Sequence, residues 1–171
     1  MAARTDRAFT LVEVLIAAAL LALLLSAVAV AMHASVQGYR ENEHLTAMTQ
    51  AARSVLARMM REVRTADEVD TTTFTLSILP PVDGSGVTLI QYAWTAGQLA
   101  YSRTTGAGTT TEVLLGGNTA VSAQSFTVTR ETGVAGPLTY TKTVTATITF
   151  AAGGRTFAVT ASADVRRNQE Y

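Results

Sequence analysis

Val14 to Met32 reads VLIAAALLALLLSAVAVAM, nineteen residues with no charge, no Gly, no Pro and Ser26 as the single hydroxyl. As an α-helix at about 1.5 Å per residue the run spans about 28 Å, close to the roughly 30 Å hydrocarbon core of a bilayer. It is apolar on every side, so it calls for lipid or other helices around it rather than one buried face. Arg4 and Arg7 precede it, whereas the first Lys or Arg beyond it is Arg40, followed by Glu41 and Glu43. Positive-inside bias then predicts a cytoplasmic N-terminus, with residues beyond Ser35 on the far side. A secretory signal peptide shares the basic start, the apolar run and the small residues Ala29-Val30-Ala31. Its apolar core is usually shorter, at about 7 to 15 residues, and it has no use for a carboxylate such as Glu13 at the mouth of the run.

Upstream, the chain continues as Arg7-Ala8-Phe9-Thr10-Leu11-Val12-Glu13-Val14-Leu15. This segment resembles the processing motif of type IV pilins and type II secretion pseudopilins. In that family the leader ends in Gly, prepilin peptidase cuts before Phe, the new N-terminus is methylated, and a Glu follows at the fifth mature position. The corresponding residues here are Ala8, Phe9 and Glu13, so the resemblance implies residues 1–8 as leader and 9–35 as a transmembrane and assembly helix. Ala8 departs from the family's Gly and puts an extra methyl beside the scissile bond, which implies slower cleavage. The implied partners are prepilin peptidase, other minor and major pilin or pseudopilin subunits, and the membrane itself through residues 9–35.

Glu13 also has a role on physical grounds. Cleavage before Phe9 creates a cationic amine four residues ahead of the carboxylate, near the membrane interior. When such helices bundle with a stagger, the acid of one subunit can pair with the amine of its neighbour, since two buried charges cost less together than apart. That pairing sets axial register. The alternative is a Glu that snorkels to the headgroups or caps its own helix dipole.

No Pro occurs between Met32 and Pro80, and the only Gly before Asp70 is Gly38, so the helix is expected to continue past the bilayer. Leu45, Met48, Ala52, Val55, Leu56, Met59, Val63 and Ala66 recur three or four apart as one apolar stripe. Gln50, Arg53, Arg58, Arg61 and Arg64 fall on the other side and read as a solvated face. Residues 36–70 are therefore expected as an amphipathic helix packed on a globular head at 71–171. His33 and His44 lie about three helical turns apart and cannot share a metal.

Beyond Asp70, Thr fills 23 of the last 101 positions, and β-branched residues favour extended chain. From Tyr140 to Phe150 a mostly apolar face of Tyr140, Lys142, Val144, Ala146, Ile148 and Phe150 alternates with threonines, and Phe157, Val159, Ala161, Ala163 and Val165 continue the inward phase after Gly153-Gly154, which predicts a hairpin. Further strands are expected at Phe74–Leu79, Val87–Trp94, Gln98–Arg103, Glu112–Leu115 and Ser125–Arg130. The fold class is α+β, a long N-terminal helix packed on an antiparallel sheet. Cysteine is absent, which excludes disulfides, thiolate metal sites and Cys nucleophiles. Thirteen Lys+Arg balance thirteen Asp+Glu, so net charge gives no reason to expect nucleic acid. No nucleophile elbow or phosphate-binding loop is present, Asp83-Gly84-Ser85-Gly86 reads as a turn, and neither a catalytic residue, a cofactor nor a metal is expected.

Ala52 to Ala66, with Tyr92-Ala93-Trp94 and Gly97-Gln98-Leu99, is similar to the J-type pseudopilin of type II secretion and the W-type minor pilin of type IV pili. That similarity implies a minor, tip-forming structural subunit with no chemistry of its own, held in the inner membrane with its head in the periplasm. Two other readings are a Sec-exported β-rich binding module that loses its first thirty or so residues, and a permanently anchored single-pass protein with an adhesive head.

Overall fold

A computed structural model of the chain describes residues 10–117, 123–135, 138–152 and 155–165. Two compact units divide the chain, Met1–Glu43 and His44–Tyr171. The helix α1, Leu11–Arg64, supplies the described part of the first unit and the opening element of the second.

In the first unit every large apolar side chain among the described residues is exposed, from Leu11 at 76% to Val36 at 51%, and α1 is long and apolar enough to cross a membrane. Water does not stabilise a continuous coat of Val, Ile and Leu, so lipid or neighbouring helices are its solvent. Ser26 satisfies its hydroxyl internally, donating to the Leu23 carbonyl at 2.8 Å, so the run presents no unpaired polar side chain to that solvent.

In the second unit the expected stripe is the buried face of α1: Ala52, Leu56, Met59, Met60 and Val63 are buried, with Met48, Ala51 and Val55 packed beside them. The helix ends at Arg64 rather than at residue 70. Thr65 turns its hydroxyl back to the carbonyls of Arg61 and Glu62, and Asp67 donates its N–H to the Leu79 carbonyl at 2.9 Å. Glu68 to Asp70, expected as the end of the helix, belong instead to the strand β1, Glu68–Thr72, where Val69 is buried opposite Ile78.

The remaining strands are β2 Thr75–Leu79, β3 Val87–Thr95, β4 Gln98–Thr105, β5 Gly108–Leu115, β6 Ser125–Ala135, β7 Leu138–Ala152 and β8 Arg155–Asp164. β1 to β5 form one antiparallel meander in chain order, and β6, β7 and β8 form a second sheet. The two meet through β1 and β2. Val128 donates to the Thr73 carbonyl at 3.1 Å, the Val69 carbonyl accepts from Arg130 and from the Thr141 hydroxyl, and Arg130 pairs with Asp70 at 2.8 Å. One core cluster joins the α1 stripe, Leu76, Ile78, Tyr92 and Leu99 of the first sheet, and Phe126, Val144, Ile148 and Phe150 of the second.

The Tyr140–Phe150 alternation holds: Val144, Ala146, Ile148 and Phe150 are buried and pair with Ala163, Ala161, Val159 and Phe157 of β8. Burial on the return strand is incomplete, however. Of its expected inward residues only Ala163 is buried, and Phe157 stays 36% exposed, because β8 is the last strand of its sheet and the core runs out beneath it. The turn expected at Gly153-Gly154 lies outside the described residues.

Arg58 is not the solvated charge that the helix pattern suggests. Its guanidinium lies 3.9 Å from the centre of the Tyr101 ring and pairs with Glu62 at 3.3 Å. Glu62 in turn accepts the hydroxyl of Tyr92 at 2.7 Å, and Tyr92 meets Tyr101 edge to face at 5.2 Å. This cluster pins α1 to β3 and β4 by charge-assisted contacts at the border of an apolar core. Burial, followed by the hydrogen bond and charge of Glu62, raises the Tyr92 phenol far above its ordinary value.

Two measurements on the full chain in detergent check these features. Glu62→Ala leaves the Tyr92 hydroxyl without its acceptor and is expected to lower unfolding stability by about 1–3 kcal/mol, more than Tyr92→Phe does. Because the folded phenol titrates above its unfolded value of about 10, its contribution is complete below that pH and drains as pH rises past it, and the Tyr92→Phe chain lacks that component of the alkaline loss. The β3–β4 turn holds Ala96 at φ 51° and Gly97 at φ 78°, the two-residue geometry that favours Asn-Gly. Ala96→Asn is expected to raise the urea midpoint by an increment equivalent to about 0.5–1 kcal/mol.

Candidate functional site

The candidate site lies at the start of α1. Thr10 precedes the first helical residue, and its side-chain oxygen accepts the Glu13 N–H at 3.2 Å. The Glu13 carboxylate reaches back through Oε2 to the Thr10 N–H at 2.9 Å and to the Thr10 hydroxyl at 3.0 Å. Val14 closes the first helical bond, donating to the Thr10 carbonyl at 3.3 Å. This reciprocal pair is a capping box: two backbone donors with no partner inside the helix are satisfied by two side chains three residues apart. The carboxylate also faces the positive end of the helix dipole.

Of the residues expected to carry function, Ala8 and Phe9 lie outside the described residues, and Glu13 sits at the head of the helix with both its carboxylate and its N–H engaged. Thr10 was not among the expected site residues, although the T-x-x-E spacing ahead of an apolar run carries the signal. Oε2 takes both bonds from Thr10, whereas Oε1 has no partner among the described residues. The arrangement thus holds one carboxylate oxygen on its own helix and leaves the second for another donor.

Other candidates do not form sites. His33 contacts Gln37 through its ring nitrogen at 3.2 Å, and no group of three His, Asp or Glu side chains among the described residues is placed to hold a metal. Asp83 accepts the Ser85 N–H at 2.9 Å in a local turn, and the Ser85 side chain, followed by that backbone bond, holds the carboxyl below its ordinary range. Trp94 is half-buried against the core opposite Leu99.

Residues 3–29 match the family model for the prokaryotic N-terminal methylation motif. No curated protein and no solved structure matches the chain. The matched span takes in Arg4 and Arg7, Ala8 and Phe9, the Thr10–Glu13 cap and most of the apolar run. With the α+β architecture, it supports membership of the type IV pilin and pseudopilin family. The motif marks a pilin-like substrate of prepilin peptidase, in a family of structural subunits that assemble with other pilin subunits. The apolar helix beside it fits a single-pass membrane protein.

Thr10→Val is expected to release the Glu13 N–H and to leave its carboxylate held by the residue-10 N–H alone. Hydrogen exchange in detergent then reports faster exchange of the Glu13 amide, with the amides beyond the first turn unchanged.

Proposed function

We propose that the chain is a minor subunit of a type II secretion pseudopilus or type IV pilus, of the J-type or W-type, that enters the tip of the fibre through its N-terminal helix. The observation that carries this reading is the placement of Glu13: a carboxylate at the mouth of an uncharged nineteen-residue run, inside a matched methylation motif. Prepilin peptidase cuts between Ala8 and Phe9, and the new amine of Phe9 is methylated. Residues 9–35 stay in the inner membrane with the N-terminus on the cytoplasmic side, as Arg4 and Arg7 favour, and the β-rich head lies in the periplasm.

Cleavage before Phe9 leaves the Phe9–Thr10 peptide intact, so the Thr10 N–H remains a peptide donor and the capping box survives processing. Glu13 then serves two partners. Oε2 holds its own helix start, and Oε1 receives the Phe9 ammonium of a neighbouring subunit. The pairing fixes the axial offset between subunits, because each ammonium finds a counter-charge at only one depth in an otherwise apolar bundle. The exposed apolar side chains from Leu11 to Val36 are the surface that neighbouring helices cover after extraction from lipid.

Mass spectrometry of the native protein is expected to find a mature chain beginning at Phe9 and heavier by one methyl group. A start at Met32 or Ser35 would instead mark a discarded signal peptide, and an intact Met1 a permanent anchor. Ala8→Gly is expected to speed cleavage. Glu13→Gln is expected to stay abundant and cleaved yet to enter fibres at least about tenfold less; equal incorporation removes the register role.

A further inference from the structure

On α1, Arg53, Leu56, Ala57, Met60 and Arg64 fall in one row and face Phe157–Ser162 of β8 across a groove of about 600 Å³. Its floor is apolar. Leu56 and Met60 are buried, Val159 and Ala161 pack on the core, and Phe157 is the exposed apolar group on the rim. Arg53 and Arg64 are exposed, and neither has a hydrogen bond or ion pair among the described residues, whereas Arg58 and Arg130 are both paired with carboxylates. β8 also ends its sheet, so one of its backbone edges has no strand partner among the described residues.

The molecule treats its strand edges differently. At β1 the Val69 carbonyl accepts from both Arg130 and Thr141, and the neighbouring Thr73 carbonyl accepts from Val128. β5 is a run of Thr109, Thr110 and Thr111 whose hydroxyls bond to residues of β4. β8 carries the same kind of cross-strand bond, Thr160 to Thr147 of β7 at 2.9 Å, but its free edge lies beside an apolar trough, the combination that recruits an extended chain.

Arg53 and Arg64 are eleven residues apart, about 16 Å along the helix, which is the length of about five residues of extended chain. We propose that this groove seats an extended segment of a partner protein alongside β8, apolar in its middle and carrying two carboxylates about five residues apart, one for each arginine. Main-chain bonds to β8 provide the affinity, the trough takes alternate apolar side chains, and the two guanidiniums set the register. Among the described strands of a second copy none carries two carboxylates at that spacing, and Asp70 of β1 is already paired with Arg130. The inference does not rest on the assembly reading above, since it involves only residues 44–171.

The test is selection of a random heptapeptide library against the full chain in detergent. Enriched peptides are expected to carry two acidic residues four to six positions apart around apolar residues, and to bind less tightly as salt rises. They are expected to bind the Arg53→Glu, Arg64→Glu double variant at least about tenfold less, with the folded circular dichroism spectrum retained, since neither side chain has a bond to lose among the described residues. Ala57→Trp, which fills the trough from an exposed helix position and keeps both charges, is expected to lose binding as well. The proposal is overturned if no peptide is enriched, if those recovered lack the acidic pattern, or if they bind the charge-reversed chain equally. Self-association of the full chain that the double variant abolishes would also overturn it, in favour of a second copy as the occupant.

Discussion

Removal of the α1 stripe from water is the interaction on which the 44–171 unit depends. Ala52, Leu56, Met59 and Val63 are essentially inaccessible, and they share one core with the inner faces of two separate sheets. Each buried Leu, Met or Val contributes about 1.5–3 kcal/mol, and with no cysteine in the chain no covalent link substitutes for that packing. The strands pair within each sheet, and among the described residues the sheets meet chiefly along β1, β2, β6 and β7, so a shared apolar core is what makes them one unit. Buried polar residues are absent from that core among the described residues. The polar lock of Arg58, Glu62 and Tyr92 sits at its border, where the charges keep partial access to water.

The same helix carries a second, different problem at its other end. An apolar rod that starts with free N–H groups would bring unsatisfied donors to the membrane boundary, and the Thr10–Glu13 box meets that need within four residues. Capping the helix and pairing with a neighbour are often set against each other as explanations of such a carboxylate. Here the geometry makes them compatible, because the two oxygens of one carboxylate can have different partners. A Glu in this position can therefore cap its own helix through one oxygen and keep the other for a second donor.

Edges tell a parallel story in the 44–171 unit. β1 is covered by Arg130 and Thr141, whereas β8 borders the trough under Arg53 and Arg64. A row of helical residues spaced three or four apart can line a groove as readily as a core, and the difference lies in what stands opposite. Where β3 and β4 face α1, the space is filled by Tyr92 and Tyr101; where β8 faces it, the small Ala161 leaves it open.

Periodicity determined much of this protein before any folding. The uniform Val14–Met32 run, the stripe from Leu45 to Ala66 and the strict Tyr140–Phe150 alternation each leave one way to bury apolar surface, so the helix, the packed face and the inward phase of β7 follow from the residues alone. The processing motif was equally local, because it is read by contiguous residues. Tertiary structure decided what depends on partners distant in sequence. Glu68–Thr72 became a strand because Leu76 and Ile78 pair with it, Arg58 left the solvated face because Tyr101 stands beneath it, and Phe157 stayed exposed because no strand follows β8 in its sheet. Short-range patterns specify which surface must be buried, and only the assembled neighbours determine how much of it is.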